Sequence, residues 1–136
     1  MSSNPYATYR NVEATTADPI TLTTMLYDGC VKALKKAVLH YENGNRNGYN
    51  DETNRAYLII GELLSTLDMN QGEIAANLSS VYGYCMRLIV ESSLGETEKL
   101  REVERHITTI GNAWKTATAD LKAARAPLRA GAEAAA

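Results

Sequence analysis

The sequence has little of what membrane proteins and nucleic-acid-binding proteins need. No apolar run approaches the roughly 20 residues that cross a bilayer, and the first residues lack the basic and apolar regions of a signal peptide. The net charge is -2, and acids and bases are interspersed without the Lys/Arg clusters that neutralise phosphates. We therefore expect a cytoplasmic protein with no membrane insertion and no nucleic-acid partner.

Cysteine is also scarce. The two cysteines, Cys30 and Cys85, are far apart in the sequence, and each lies inside an apolar helical pattern. This favours two small core residues in a reducing compartment over a disulfide.

Motifs for catalysis or cofactor binding are missing as well. We find no glycine-rich phosphate loop, no Cys/His cluster with zinc spacing and no recognisable nucleophile–base pair. A di-iron bundle needs Glu-x-x-His pairs, and the nearest approach is Glu102 with His106, one helical turn apart and off the apolar seam. His40 lacks the lysine and glycine neighbours of a phosphorylated histidine. The sequence therefore predicts no enzyme activity, no cofactor and no metal.

What the sequence does contain is amphipathic helix, in an amount that suits one domain of 136 residues. Asp18-Pro19 places a preferred N-cap before a proline at the first helical position, and Asn43-Gly44-Asn45 can end that helix. A second helix is predicted from Asn50, and a polar corner from Asp68 to Gly72 follows it. The third helix then ends near Gly95.

Two of the predicted helices have distinct apolar seams. The fourth helix alternates steps of three and four residues, whereas the second has a regular seam and extra apolar residues that widen its arc. The fourth-helix seam is Leu100, Val103, Ile107, Ile110, Trp114, Ala117 and Leu121; the second-helix seam is Thr53, Tyr57, Ile60, Leu64 and Leu67, widened by Leu58, Ile59 and Leu63. Four such helices with short connections predict an all-α, antiparallel up-down-up-down four-helix bundle over residues 18–124. Residues 1–17 would be an N-terminal arm and residues 125–136 a disordered tail.

The aromatic content is unusual, with eight tyrosines, one tryptophan and no phenylalanine. Tyrosine combines an apolar ring with a polar tip, which suits half-wet surfaces that contact something removable. Tyr27, Tyr57 and Tyr82 could equally be boundary residues with their hydroxyls in water. Together with Tyr6 and Tyr9, which lie on an arm without a core of its own, the set favours a binding surface.

Two blocks of residues resemble the FliS family of flagellar secretion chaperones, which are export chaperones for flagellin. The first block contains the Tyr6-x-x-Tyr9 arm, Thr16-Ala17-Asp18-Pro19 and Leu22-Thr23-Thr24-Met25-Leu26-Tyr27-Asp28-Gly29. The second contains Glu62-Leu63, Thr66-Leu67-Asp68, Gly72-Glu73-Ile74-Ala75, Asn77-Leu78 and Tyr82-x-Tyr84, and Glu102-Val103 and Ala113-Trp114 add to it. The resemblance covers roughly residues 4–119.

The resemblance implies a non-enzymatic cytosolic chaperone that binds the disordered C-terminal segment of flagellin. Binding would prevent premature polymerisation and aid delivery to the flagellar type III export apparatus, with the export-gate protein and other flagellar regulators as further partners. The bound segment would fill grooves between chaperone helices. The chaperone would be a monomer or a weak homodimer.

By position, the resemblance assigns flagellin contacts to six residues and a cap to two. The contacts are Met25, Tyr27, Ile74, Leu78, Val81 and Tyr82; the cap residues are Tyr6 and Tyr9. Ile74 and Leu78 also lie on the third-helix seam, so a core role is an alternative for both. The alternative for the whole protein is a self-associating bundle scaffold that uses the wide apolar arc of the second helix and has no disordered client.

Overall fold

The computed structural model describes the backbone of residues 18–135 and the side chains of residues 18–121 and 123. Within this range the chain forms four α-helices: α1 (Pro19–Glu42), α2 (Arg46–Ser65), α3 (Glu73–Glu91) and α4 (Thr97–Ala135). Short 3-10 turns, Met69–Gln71 and Ser92–Leu94, precede and follow α3. The predicted arm with Tyr6 and Tyr9 lies outside the described residues.

The helices form the antiparallel four-helix bundle that the sequence predicted. Helix α1 packs against α2 and α4, and α3 packs against the same two helices from the opposite corner. The connections are short, so consecutive helices run in opposite directions. As a result, the starts of α1 and α3 lie at the same end of the bundle as the end of α2.

A single hydrophobic core runs along the bundle axis, and all four helices contribute to it. Its least exposed large side chains include Leu34, Ile60, Leu63, Leu100 and Ile107. Cys30 and Cys85 are buried free thiols in this core, as predicted. Burial raises the pKa of both thiols, that of Cys85 to about 11, so both remain protonated and unreactive at neutral pH.

The start of α1 follows the predicted chemistry. Asp18 has extended backbone angles, and its Oδ1 accepts a hydrogen bond from the backbone N–H of Thr21 at 2.8 Å. Pro19 occupies the first helical turn, where its missing N–H leaves no bond unmade. At the other end of α1, Gly44 has a φ of 71°, which turns the chain into α2.

Helix α2 begins at Arg46, one turn earlier than the predicted Asn50. The Asn45 side chain caps it by accepting from the N–H of Gly48 at 2.9 Å. Tertiary contacts explain the early start, because Tyr49 is fully buried and its hydroxyl donates to the carbonyl of Ser92 at 2.5 Å. This bond ties the start of α2 to the connection between α3 and α4.

The buried face of α2 differs from the predicted seam. Its buried residues are Tyr49, Glu52, Ala56, Ile59, Ile60 and Leu63, so the stripe is rotated toward the residues that had been assigned to a widened arc. Ile59 and Leu63 are only 3% and 1% exposed. The bundle therefore uses most of this arc itself, which removes the feature that suggested self-association.

The predicted α4 seam is confirmed only in part. Leu100, Val103 and Ile107 are fully buried, but Leu121 is 53% exposed and Thr118 is buried in place of Ala117. A strict heptad drifts relative to a straight helix of 3.6 residues per turn. The Trp114 indole also donates to Thr24, five residues after the first residue of α1. Because α1 and α4 are antiparallel, the first residues of α1 lie about level with Thr118.

The C-terminal segment also differs from its prediction. A disordered tail was expected from Arg125, whereas α4 continues as helix to Ala135. The segment is rich in alanine, the residue with the highest helix propensity, although Pro127 lies within it.

Candidate functional site

A cleft of about 480 Å³, bordered mainly by apolar side chains, lies at the end of the bundle where α1 and α3 begin. We call it the end cleft. The start of α1, the corner between α2 and α3, the first turns of α3 and one residue of α4 surround it. Its lining includes Ile20, Leu22, Tyr27, Leu67, Ile74, Leu78, Tyr82 and Trp114.

The corner that borders the end cleft depends on two residues, Asp68 and Gly72. Asp68 Oδ1 accepts from the N–H of Asn70 at 3.0 Å and so starts the 3-10 turn Met69–Gln71. Gly72 then has φ 71° and ψ -131°, a conformation that side chains with a Cβ adopt only under strain. Glu73 follows in the first turn of α3, where an acidic side chain interacts favourably with the positive end of the helix dipole.

Two tyrosines form the floor of the end cleft. The hydroxyls of Tyr27 on α1 and Tyr82 on α3 lie 2.7 Å apart, and the two residues are 6% and 1% exposed. Burial raises the pKa of both phenols, so both remain neutral and one donates to the other. This hydrogen bond joins diagonally opposite helices and closes the core beneath the cleft.

The α4 side of the cleft is formed by Trp114. Its indole N–H donates to Thr24 Oγ1 at 3.0 Å, and its ring lies 6.4 Å from that of Tyr27, centroid to centroid. Gly111, one turn earlier, allows α4 to approach α1, since a Cβ there would lie 3.1 Å from Tyr27 Cβ. The position of Trp114 is therefore determined by both a hydrogen bond and ring packing.

The six predicted contact residues are not all in one place. Tyr27, Ile74, Leu78 and Tyr82 all line the end cleft. Ile74 is 72% exposed, Leu78 is half-buried, and the two tyrosines are in the floor.

The other two contact residues lie elsewhere. Met25 lines a separate groove between α1 and α2, and Val81 is half-buried against the core.

Sequence reasoning missed several residues of the cleft, among them Pro19, Ile20 and Leu67. Helix-end positions have no periodic signal of their own. Topology could have revealed them, because in an up-down-up-down bundle the start of α1, the end of α2 and the start of α3 meet at one end. Trp114 was assigned to the α4 seam, where it does lie, but its exposed edge also borders the cleft.

The Glu102–His106 pair is a surface pair, as expected. His106 Nε2 lies 3.4 Å from Glu102 Oε2, which also accepts a 2.6 Å hydrogen bond from the Tyr84 hydroxyl. That hydrogen bond lowers the pKa of the Glu102 carboxyl. In the part of the chain that the structure describes, no group of three or more His, Cys, Asp or Glu residues could hold a metal ion. No helix in that part is long and apolar enough to cross a membrane.

The fold and the site together define the class of protein. This is a small helical bundle whose clefts and grooves suit the binding of another polypeptide, and its described residues form no metal-binding group.

Comparison with known proteins then identifies the family. The family model described as flagellar protein FliS matches residues 2–121. A Bacillus subtilis protein named flagellar secretion chaperone FliS is 37% identical over 115 residues, covering 84% of this chain and 86% of the relative. The Salmonella typhimurium protein of the same name is 36% identical over 102 residues, covering 73% and 76%. The chain belongs to the FliS family of flagellar secretion chaperones, a family of chaperones and not of enzymes.

Proposed function

We propose that this flagellar secretion chaperone binds the disordered C-terminal segment of flagellin in the cytosol, prevents its premature polymerisation and aids its delivery to the flagellar type III export apparatus. The observation that supports this most is the end cleft. It is an open cavity of about 480 Å³ bordered by apolar side chains of α1, α3, α4 and the corner between α2 and α3, and core residues form its floor.

The exposed side chains at the cleft support a polypeptide client. Ile74 is 72% exposed and Met69 is 58% exposed at the same corner. A client helix that presents apolar residues every three or four positions could cover Ile74 and Leu78, which are one turn apart on α3. Met25 and Val81 lie outside the cleft, so in this proposal they contact the client only if it continues around the bundle.

The N-terminal arm is proposed to cover the cleft when no client is bound. Pro19 and Ile20 line the cleft, so Asp18, the first residue that the structure describes, lies next to its rim. Tyr6 and Tyr9 are within reach of the cleft along such an arm, because nine to twelve residues of extended chain span roughly 30 Å or more. Arm and flagellin would then compete for the same apolar surface.

The test is a binding measurement with full-length flagellin and with flagellin lacking its C-terminal segment. The proposal expects binding only to the full-length client, and equal binding of the two would contradict it. Ile74→Ser should weaken binding about tenfold, because about 1.5 kcal/mol of apolar burial is lost. Val90→Ser is the matched control, since Val90 is 60% exposed at the other end of the same helix.

A further inference from the structure

A second groove, between α1 and α4, runs along the side of the bundle. It is lined by residues of α1 from Tyr27 to Leu39 and of α4 from Ile107 to Lys115, and its volume is about 440 Å³. We call it the basic groove. It shares only Tyr27 with the end cleft.

The floor of the basic groove is apolar. Val31 is half-buried, Ile107 is fully buried, and Leu39 is 58% exposed at the end of the groove far from the end cleft. The twelve positions from Asp28 to Leu39 extend about 17 Å along α1, or about three helical turns. The floor therefore matches a helix of three or more turns that presents one apolar stripe.

The rim of the basic groove is positively charged. Four lysines line it: Lys32, Lys35, Lys36 and Lys115. Lys115 Nζ lies 2.6 Å from Asp28 Oδ1, and Lys35 Nζ lies 3.9 Å from Glu104 Oε2.

Lys32 and Lys36 make no ion pair with any described residue. They are one turn apart on the outward ridge of α1, and both are exposed. The rim therefore has positive charge in excess, although the whole chain has a net charge of -2.

From this juxtaposition we infer that the basic groove is a docking site for an acidic amphipathic helix of a protein partner. Apolar side chains of the partner helix contact Val31 and Leu39, and flanking carboxylates pair with Lys32 and Lys36. Charge complementarity of this kind sets partner choice and association rate more than affinity. A protein helix fits better than an anionic membrane because the apolar surface lies at the bottom of a concave groove, below the lysines.

This interaction is independent of the proposed flagellin site. Ile74 and Leu78, the exposed and half-buried cleft residues, do not line the basic groove. A negative binding result at one surface therefore does not contradict the proposal for the other, and variants can distinguish the two sites.

The test uses the full-length protein and a labelled peptide of about 18 residues, long enough to form a helix, with a leucine stripe flanked by glutamates. Fluorescence anisotropy should detect binding when the protein is titrated up to about 100 μM. A comparison peptide with every Glu replaced by Lys should bind far less, and higher salt should weaken the acidic peptide's binding. If neither peptide binds, or if both bind equally, the inference is wrong.

Two variants locate the site. Lys32→Glu/Lys36→Glu should weaken binding of the acidic peptide about tenfold or more, since two attractive contacts become repulsive. Leu39→Ser should also weaken it, and because Leu39 is exposed the fold should tolerate the change.

The matched control is Arg87→Glu/Arg105→Glu, which changes the net charge equally but lies on α3 and on the exposed face of α4, outside the groove. An equal loss in this control would show that only net charge attracts the peptide and would overturn the inference. Ile74→Ser should leave binding unchanged, and a loss there would mean that the peptide occupies the end cleft. Binding to vesicles of anionic phospholipid without binding to the peptide would also overturn it.

Discussion

Removing the hydroxyl of Tyr27 or Tyr82 provides a direct test of the hydrogen bond that closes the core beneath the end cleft. The two oxygens are 2.7 Å apart and both residues are almost fully buried. A neutral hydrogen bond contributes about 1 kcal/mol net, but a buried hydroxyl left without its partner costs about 1–3 kcal/mol. Tyr27→Phe and Tyr82→Phe should therefore each lower the free energy of unfolding by about 1–2 kcal/mol.

The double variant is the informative one. It removes both hydroxyls, so no stranded donor remains, and its cost should be close to that of one single variant rather than to the sum of two. The coupling energy in the double-mutant cycle should be about 1 kcal/mol or more. Urea unfolding followed by far-ultraviolet circular dichroism measures all four proteins, and the m-value checks that each unfolds in the same two-state manner.

The control for this cycle is Tyr57→Phe. Tyr57 is half-buried on α2, and its hydroxyl has no hydrogen bond to a described residue, so the substitution should change stability by less than about 0.5 kcal/mol. Costs of Tyr27→Phe and Tyr82→Phe that simply add in the double variant would refute the reasoning. Additivity would mean that the two hydroxyls do not depend on each other.

Three further predictions follow from other parts of the bundle. Gly72→Ala should destabilise the protein by about 1–3 kcal/mol because its φ is positive, whereas Gly83→Ala, inside α3 with open space around it, should stabilise it by up to about 1 kcal/mol; urea midpoints that shift alike would contradict this. Burial raises the pKa of Cys30 and Cys85 above that of an unfolded thiol, about 8.5, so the unfolded chain loses these protons first. Stability is then fully present below about pH 8.5 and falls as the pH rises, and a Cys30→Ala/Cys85→Ala variant should show a flatter pH dependence of the urea midpoint. Deletion of residues 1–15 should tighten or accelerate binding of a flagellin C-terminal peptide unless arm residues also contact it, and unchanged kinetics would exclude competition by the arm.

Features specified by local chemistry could be predicted from the sequence. The N-cap at Asp18, the positive φ at Gly72 and the burial of both cysteines each depend on neighbours a few residues away or on one helical period. The corner was predictable for the same reason, since Asp68 bonds to a backbone N–H only two residues along the chain.

Features that depend on distant partners could not be predicted. Helix propensity alone does not favour a start at Arg46 with Gly48 in the first turn, and the early start depends on the contact between Tyr49 and Ser92, 43 residues apart. Gly48 itself is needed there because a Cβ would lie 2.6 Å from the His40 ring. The rotation of the α2 stripe has the same origin, because which side of a wide apolar arc is buried depends on where α1 and α3 lie.

The prediction of the candidate site shows the same difference between local chemistry and distant contacts. Ile74 and Leu78 were assigned to the client surface by the family resemblance, and both line the end cleft. Met25 was assigned to the same surface by the resemblance, yet it lines the groove between α1 and α2. One residue along a helix rotates a side chain by about 100°, so Leu26 beside it is in the core and Tyr27 is in the cleft floor.

The bond between Tyr49 and Ser92 gives the two ends of the molecule different thermodynamic roles. It satisfies a buried hydroxyl and a buried carbonyl at the end opposite the cleft, so neither group needs a hydrogen-bond partner from another molecule. At the cleft end, the core residues Tyr27 and Tyr82 border an open cavity, and spontaneous opening of the bundle should therefore begin there. Any segment that fills the cleft adds its binding free energy to the folding stability of its host, about 2.7 kcal/mol at a hundredfold excess over Kd. Occupancy could then be measured without a label, as slower amide hydrogen exchange in the first turns of α1 and α3.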